Sequence, residues 1–146
     1  MQIYNFFQYS EKIACSGLPK EEEFRYIKDA GYEMVISLSM PSDSITLENE
    51  DKILADLGIP YFHIPVDANN PKVVDFEQFM ALMKAFESYK IFIHCTKNCR
   101  LSTFIYLYHL ITQKEVDERL LNQFCPPRKE WVIFRKKILE KYNITE

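Results

Sequence analysis

The chain has 146 residues, 47% of them hydrophobic and 14% aromatic, with a formal net charge of -3. That length can bury one core, and that composition is too apolar for a disordered chain. Nucleic-acid backbones and anionic lipid surfaces demand clustered Lys and Arg; no basic stripe is present, so neither nucleic acid nor membrane is expected as a partner.

The first residues, Met1-Gln2-Ile3-Tyr4-Asn5, lack the basic flank and apolar run of a signal peptide. Apolar runs such as Ile91-Phe92-Ile93 are too short to span a bilayer. A cytoplasmic protein is therefore expected. No repeat, low-complexity run or Pro/Gly/Ser linker divides the sequence, so residues 1–146 should form a single domain. The cysteines, Cys15, Cys95, Cys99 and Cys125, form no C-x-x-C pair, which argues against structural zinc. They are too sparse for a secreted disulfide scaffold, and free thiols are expected.

In chain order, residues 12–15 read as an edge strand and residues 20–30 as a helix stopped by Gly31. The run Met34-Val35-Ile36-Ser37-Leu38 reads as a strand, and residues 47–57 as a helix stopped by Gly58. Tyr61-Phe62-His63-Ile64-Pro65-Val66 follows as another strand. Residues 74–89 place Phe76, Phe79, Met80, Met83 and Phe86 on one helical face, before the strand 91–94. Residues 100–112 are apolar nearly all round, which places that helix in the middle of the fold. Residues 116–123 read as helical, Pro126-Pro127 as a break, and residues 130–142 as a helix burying Trp131, Phe134, Ile138 and Tyr142. Apolar strands alternating with amphipathic helices predict an α/β fold: a central, mostly parallel sheet of about four to five strands flanked by helices.

The chemistry concentrates in His94-Cys95-Thr96-Lys97-Asn98-Cys99-Arg100. Ligands of open α/β sheets bind beyond the carboxyl ends of the strands. A short loop feeding a helix N-terminus turns N–H groups inward and makes an anion cradle. The helix dipole and a nearby guanidinium both favour a thiolate at Cys95. Arg100 can hold two phosphate oxygens in a planar fork and match charge that develops in a transition state. Nucleophile, N–H donors and clamp thus lie within one loop.

His94-Cys95, four residues, then Arg100 after an apolar strand resembles the active-site loop of protein tyrosine and dual-specificity phosphatases. It is most similar to a bacterial branch of small phosphatase-like proteins with a shortened Cys-x4-Arg spacing. Ser16-Gly17-Leu18-Pro19, residues 30–38, Ile64-Pro65-Val66-Asp67 with Asn70-Pro71, and the surroundings of Trp131 also resemble segments of that branch. The resemblance implies a cysteine-phosphatase-like fold and a metal-independent, cofactor-free hydrolase forming a phospho-Cys95 intermediate. Its partner would be a phosphorylated protein or a small phosphate ester. Thr96, Lys97, Asn98, Cys99 and Leu101 would bind the phosphate, and Ser102 would stabilise the departing thiolate.

Asp67 ends a strand one β-α unit before Cys95 and is the expected general acid, with Asp43 and Asp75 as weaker rivals. Asn98 stands where the longer loops carry glycine, and Asn best tolerates a left-handed backbone. His94 is expected to orient the loop, and His63 and His109 to be structural. Cys99 is either a small buried residue or a redox partner of Cys95. The short spacer leaves two geometries: a tightened loop whose helix begins early, or a loop of ordinary length with a shifted arginine; the hydroxyl of Ser102, seven residues after Cys95, favours the second. Competing readings are a rhodanese-like sulfurtransferase, a phosphate-binding pseudo-phosphatase, and a zinc protein using His94, Cys95 and Cys99.

Overall fold

The alternation of β-branched runs and amphipathic segments folds as one wound sheet. The computed structural model describes residues 2–146. In chain order the elements are β1 (Phe7–Gln8), β2 (Ile13–Ser16), α1 (Glu23–Asp29), β3 (Met34–Ser37), α2 (Glu50–Leu57) and β4 (Tyr61–His63). They continue with α3 (Val73–Ala85), β5 (Ile91–His94), α4 (Arg100–Gln113), a short 3-10 turn (Glu118–Leu120) and α5 (Lys129–Lys141).

The strands lie in the order β1-β2-β5-β3-β4. Only β1 runs antiparallel to its neighbour; the other pairings are parallel. β5 is therefore central, and all its residues are buried. Strands covered on both faces read as unbroken apolar runs, which is why Ile91-Phe92-Ile93 shows no alternation with polar residues. The side chains still alternate in direction. Ile91 and Ile93 join Phe76, Phe79, Phe104 and Phe134 in a core under α3, α4 and α5. Phe92 joins Phe24, Ile27 and Leu54 under α1 and α2.

Helix α4 crosses the centre of the larger core, as its all-round apolarity requires. Phe104 stacks on Phe134 with ring centroids 5.7 Å apart and meets Phe76 and Phe79 edge-on at 5.3 and 5.4 Å. Packing of this kind fixes the direction in which Arg100, at the start of α4, leaves the helix.

Several expected boundaries are corrected. The strand at 12–15 is not an edge strand, because the two-residue β1 pairs along it at Phe7↔Cys15 and Gln8↔Ala14. The ladder of β4 ends at His63, although Ile64 and Val66 still donate to the carbonyls of Ser37 and Leu38. Helix α3 stops at Ala85, with Phe86 beyond its last turn. Residues 116–123 are not a helix. Lys114 turns left-handed (φ 57°), and only Glu118–Leu120 form a turn, opened by the Asp117 carboxylate accepting from the Arg119 N–H. Among the described residues no helix is long and apolar enough to cross a membrane.

Candidate active site

The chain leaves β5 at His94 and enters α4 at Arg100, so the intervening loop sits at the carboxyl end of the central strand. Its carbonyls are tied by specific donors. His94 Nδ1 lies 3.1 Å from the Cys95 oxygen, the Leu18 N–H donates to Thr96, the Asn5 amide to Lys97, and the Ser102 hydroxyl to Asn98. The N–H of Cys95 donates to the Ser16 carbonyl. The N–H groups of Thr96, Lys97, Asn98, Cys99 and Arg100 have no acceptor among the described residues. This is the arrangement an anion requires: carbonyls turned away and donors left over at a helix start.

Two backbone devices produce it. Asn98 is left-handed (φ 63°) and buried, and its side-chain amide donates to the Asn5 carbonyl at 2.9 Å. Gly17 lies against the loop so closely that an added Cβ would come within 2.8 Å of the Thr96 oxygen and 2.7 Å of the Tyr4 ring. A side chain there would push the cradle open.

The expected loop of ordinary length with a shifted arginine is corrected: the helix starts at Arg100 itself, with Cys99 as its cap residue, so the early helix start is the geometry present. Ser102 is accordingly the third residue of the helix, within its first turn; it lines the cavity over the loop, and its hydroxyl donates to the Asn98 carbonyl. Leu101 is fully buried in the main core, so its side chain does not reach the site.

Arg100 is 6% exposed, and its terminal nitrogens are fully engaged. Nη1 donates to Asp43 Oδ1 at 3.2 Å and to the Val66 carbonyl at 2.8 Å; Nη2 donates to Asp43 Oδ2 at 2.6 Å and to Thr96 Oγ1 at 3.0 Å. The fork expected to grip phosphate here grips a carboxylate. Thr96 Oγ1 also donates to Asp43 Oδ2 at 2.5 Å, and the Met40 N–H donates to the same oxygen at 3.1 Å. Burial alone would raise the Asp43 carboxyl, but the hydrogen bonds from Arg100, Thr96 and Met40 outweigh it and hold the group below its ordinary value. Asp43 was legible only as a weak candidate because nothing local marks it.

Asp67 is half-buried, and its Oδ1 accepts from the Asn69 N–H at 2.8 Å, an Asx turn. Its neighbours are fixed on both sides: Val66 accepts from Arg100, and the Ala68 carbonyl accepts from Trp131 Nε1 at 2.8 Å. Asp75 lies in the first turn of α3, and burial raises its carboxyl. His63 and His109 bond to the Ser39 carbonyl and the Tyr9 hydroxyl, consistent with structural roles.

A cavity of about 390 Å³ opens over Cys95, Thr96, Lys97 and Arg100. Its far wall comes from residues 122–131, including Cys125, Pro126, Arg128 and Trp131, and Ala68 rather than Asp67 lines it. Of these the sequence marked Cys125 as a cysteine, Pro126 as a break and Trp131 as a core residue, but none as part of the site, and it did not mark Arg128 at all. Arg128 donates to Asn69 Oδ1 at 2.6 Å, which ties the wall to the turn after Asp67.

The cysteines depart from expectation. Cys99 is neither free nor paired with Cys95; it forms a disulfide with Cys125, with Cα atoms 5.8 Å apart. Cys15 and Cys95 are free and buried. Burial, then the adjacent Cys95, pushes the Cys15 thiol far up, which keeps it inert. The Cys99–Cys125 bond fastens the cavity wall to the loop. With a sequence separation of 26, its loss should lower stability by about 3.5 kcal/mol on chain-entropy grounds. A lower melting temperature in dithiothreitol, reproduced without reductant by Cys125→Ser, is the expected result. With Cys99 so engaged and both His94 nitrogens hydrogen-bonded, the zinc reading loses its ligands.

A thiol at the end of the central strand, a ring of unpaired N–H groups and an arginine opening the next helix define the cysteine-phosphatase class. The chain is similar to a DUF442 phosphatase-type protein from Shewanella putrefaciens CN-32, with 31% identity over 97% of this chain and 95% of that one, at a TM-score of 0.90. It therefore belongs to the DUF442 phosphatase-like family. The fold is shared with the core catalytic domain of the PP-IP phosphatase SIW14 from S. cerevisiae, at 18% identity over 98% and 95% of the two chains and a TM-score of 0.75. It is shared also with PTPMT1, solved in complex with PI(5)P, at 13% identity over 95% and 97% and a TM-score of 0.77. No family model and no curated protein sequence matches the chain.

Proposed function

We propose that the protein is a slow, metal-independent phosphatase that hydrolyses phosphate monoesters through Cys95. The observation that carries this reading is the set of unpaired N–H groups from Thr96 to Arg100 beside a buried free thiol. In the first step the Cys95 sulfur attacks phosphorus, the ester P–O bond breaks, and the leaving oxygen takes a proton. In the second, water attacks phosphorus, gives up a proton, and the S–P bond breaks to return the thiolate. One carboxyl can supply and then recover that proton.

Asp67 is the reading's general acid. Asp43 is ionised against Arg100, which suits it to holding a cation rather than to giving a proton. Asp67 has one carboxylate oxygen outside its Asx turn and sits between two residues anchored to the site. Asp67→Asn should slow hydrolysis of alkyl phosphates by about 10²-fold, with less effect on activated aryl esters whose leaving groups need no proton. Equal slowing of both classes would assign Asp67 to the turn alone.

The cavity wall of Trp131 and Pro126 suits an aryl or other apolar group on the ester, phosphotyrosine among them. Phosphate release from an aryl phosphate in EDTA is the direct test. A second reading is a phosphate-binding protein without turnover: with the Arg100 fork engaged by Asp43, the loop N–H groups alone would hold the anion and the clamp on the transition state would be missing. Vanadate binding with no hydrolysis of any ester would select it.

A further inference from the structure

A buried acid–imidazole pair stands behind the loop, outside the cavity. Glu50 opens α2, and its Oε2 lies 2.6 Å from His94 Nε2. His94 is 0% exposed and Glu50 8%. Phe24 packs edge-on against the imidazole, with ring centroids 6.1 Å apart, and the other ring nitrogen faces the Cys95 carbonyl. Asp51 follows Glu50 on the same helix, and Glu48, Tyr61 and His63 line one cleft with them. Burial, then the Glu50 charge, pushes the Tyr61 hydroxyl well above its ordinary value.

The protons in this pair can be counted. A carbonyl oxygen only accepts, so a hydrogen bond between His94 Nδ1 and the Cys95 oxygen requires the proton to be on Nδ1. Nε2 and the Glu50 carboxylate would then both be acceptors, and a contact of 2.6 Å requires a second proton between them. Without Glu50 the second proton has no partner, and only the 3.1 Å contact with the Cys95 oxygen would favour a proton on Nδ1. A neutral imidazole could move its single proton to Nε2 and turn the Nδ1 lone pair against the Cys95 oxygen.

The effect reaches the site through one peptide plane. In a trans peptide the carbonyl and the following N–H point in opposite directions. Tethering the Cys95 oxygen to His94 therefore aims the Thr96 N–H away from His94, towards the unpaired donors. We propose that Glu50 is a positioning residue: by holding a second proton at Nε2 it keeps the His94 Nδ1 proton on the Cys95 oxygen, and so holds the Cys95–Thr96 peptide with its N–H presented to the bound phosphoryl group. This rests on the reading of the loop as a phosphoryl site.

The intact chain labelled with 15N at histidine tests the tautomer without reference to turnover. His94 Nδ1 should give the signal of a protonated nitrogen at neutral pH. Inorganic vanadate then reads the loop. Glu50→Ala should weaken vanadate binding by about tenfold or more, the scale of a lost charge-assisted hydrogen bond, with a matching fall in kcat. Glu50→Gln, whose amide can donate to Nε2 and so retain the Nδ1 proton, should recover most of both. An unprotonated Nδ1 in the unaltered chain overturns the proposal even if the variants fail to fold. So does equal behaviour of the Ala and Gln variants, whether both are impaired or neither. Failure of ester hydrolysis with vanadate binding and the tautomer intact would instead remove the phosphatase reading and leave Glu50 in its role.

Discussion

Cys95→Ser is expected to abolish phosphate release, with a loss on the order of 10⁴-fold or more, while the protein stays folded and still binds vanadate. The size follows from what the sulfur alone can do. A serine hydroxyl in the same place is not ionised, and no base lies beside it: the His94 ring nitrogens are committed to Glu50 and to the Cys95 carbonyl. The N–H groups proposed to hold the oxyanion belong to Thr96 through Arg100, and the substitution leaves them in place. Binding and turnover should therefore separate, since removing a nucleophile takes away the chemical step and not the cradle. Activity of the unaltered chain should persist in EDTA and disappear on alkylation of Cys95. Near-normal hydrolysis by the Ser variant would end the covalent-thiol reading, and loss of vanadate binding along with hydrolysis would mean that the loop had collapsed.

What could be read from the sequence is what is local in it. The strand, the thiol, the turn and the arginine occupy consecutive positions in 91–100, and each carries a pattern: β-branched residues, a left-handed Asn, an all-apolar helix. Asp43, Glu50 and Arg128 come to the site from distant elements with no periodicity to mark them. Asp43 lies in an irregular stretch, and its partner Arg100 is 57 positions away. Glu50 reads as an ordinary acidic residue in the first turn of a helix, and only the fold shows it to be buried against His94. The strand β1 was too short to show alternation, and residues 116–123 failed as a helix because Leu120 is the only residue there that the core buries. The Cys99–Cys125 pairing could not be deduced, since spacing does not determine connectivity.

Arg100→Lys is expected to lower kcat/KM by about 10²- to 10³-fold, the scale of removing one preorganised oxyanion donor. The guanidinium bonds at once to Asp43, the Val66 carbonyl and Thr96, and its planar fork is what spans them. An ammonium has three donors on one atom and cannot reproduce that span. The same contacts make Asp43 a rival for the incoming phosphate, because its two oxygens occupy the terminal N–H groups that a phosphoryl group needs. Asp43→Asn should then tighten vanadate binding several-fold, since a larger fraction of the protein would have its fork free, whereas Arg100→Lys should weaken it. The ion pair also makes stability depend on pH in a defined sense. Because the folded protein holds the Asp43 carboxyl below its ordinary value, the pair's contribution is complete above the ordinary carboxylate range and is lost as pH falls through the lowered value. A denaturation series from pH 6 downwards should show that loss in the unaltered chain and a shallower one in Asp43→Asn. If Asp43→Asn weakens vanadate binding as much as Arg100→Lys does, Asp43 holds the fork in place for phosphate instead of competing with it.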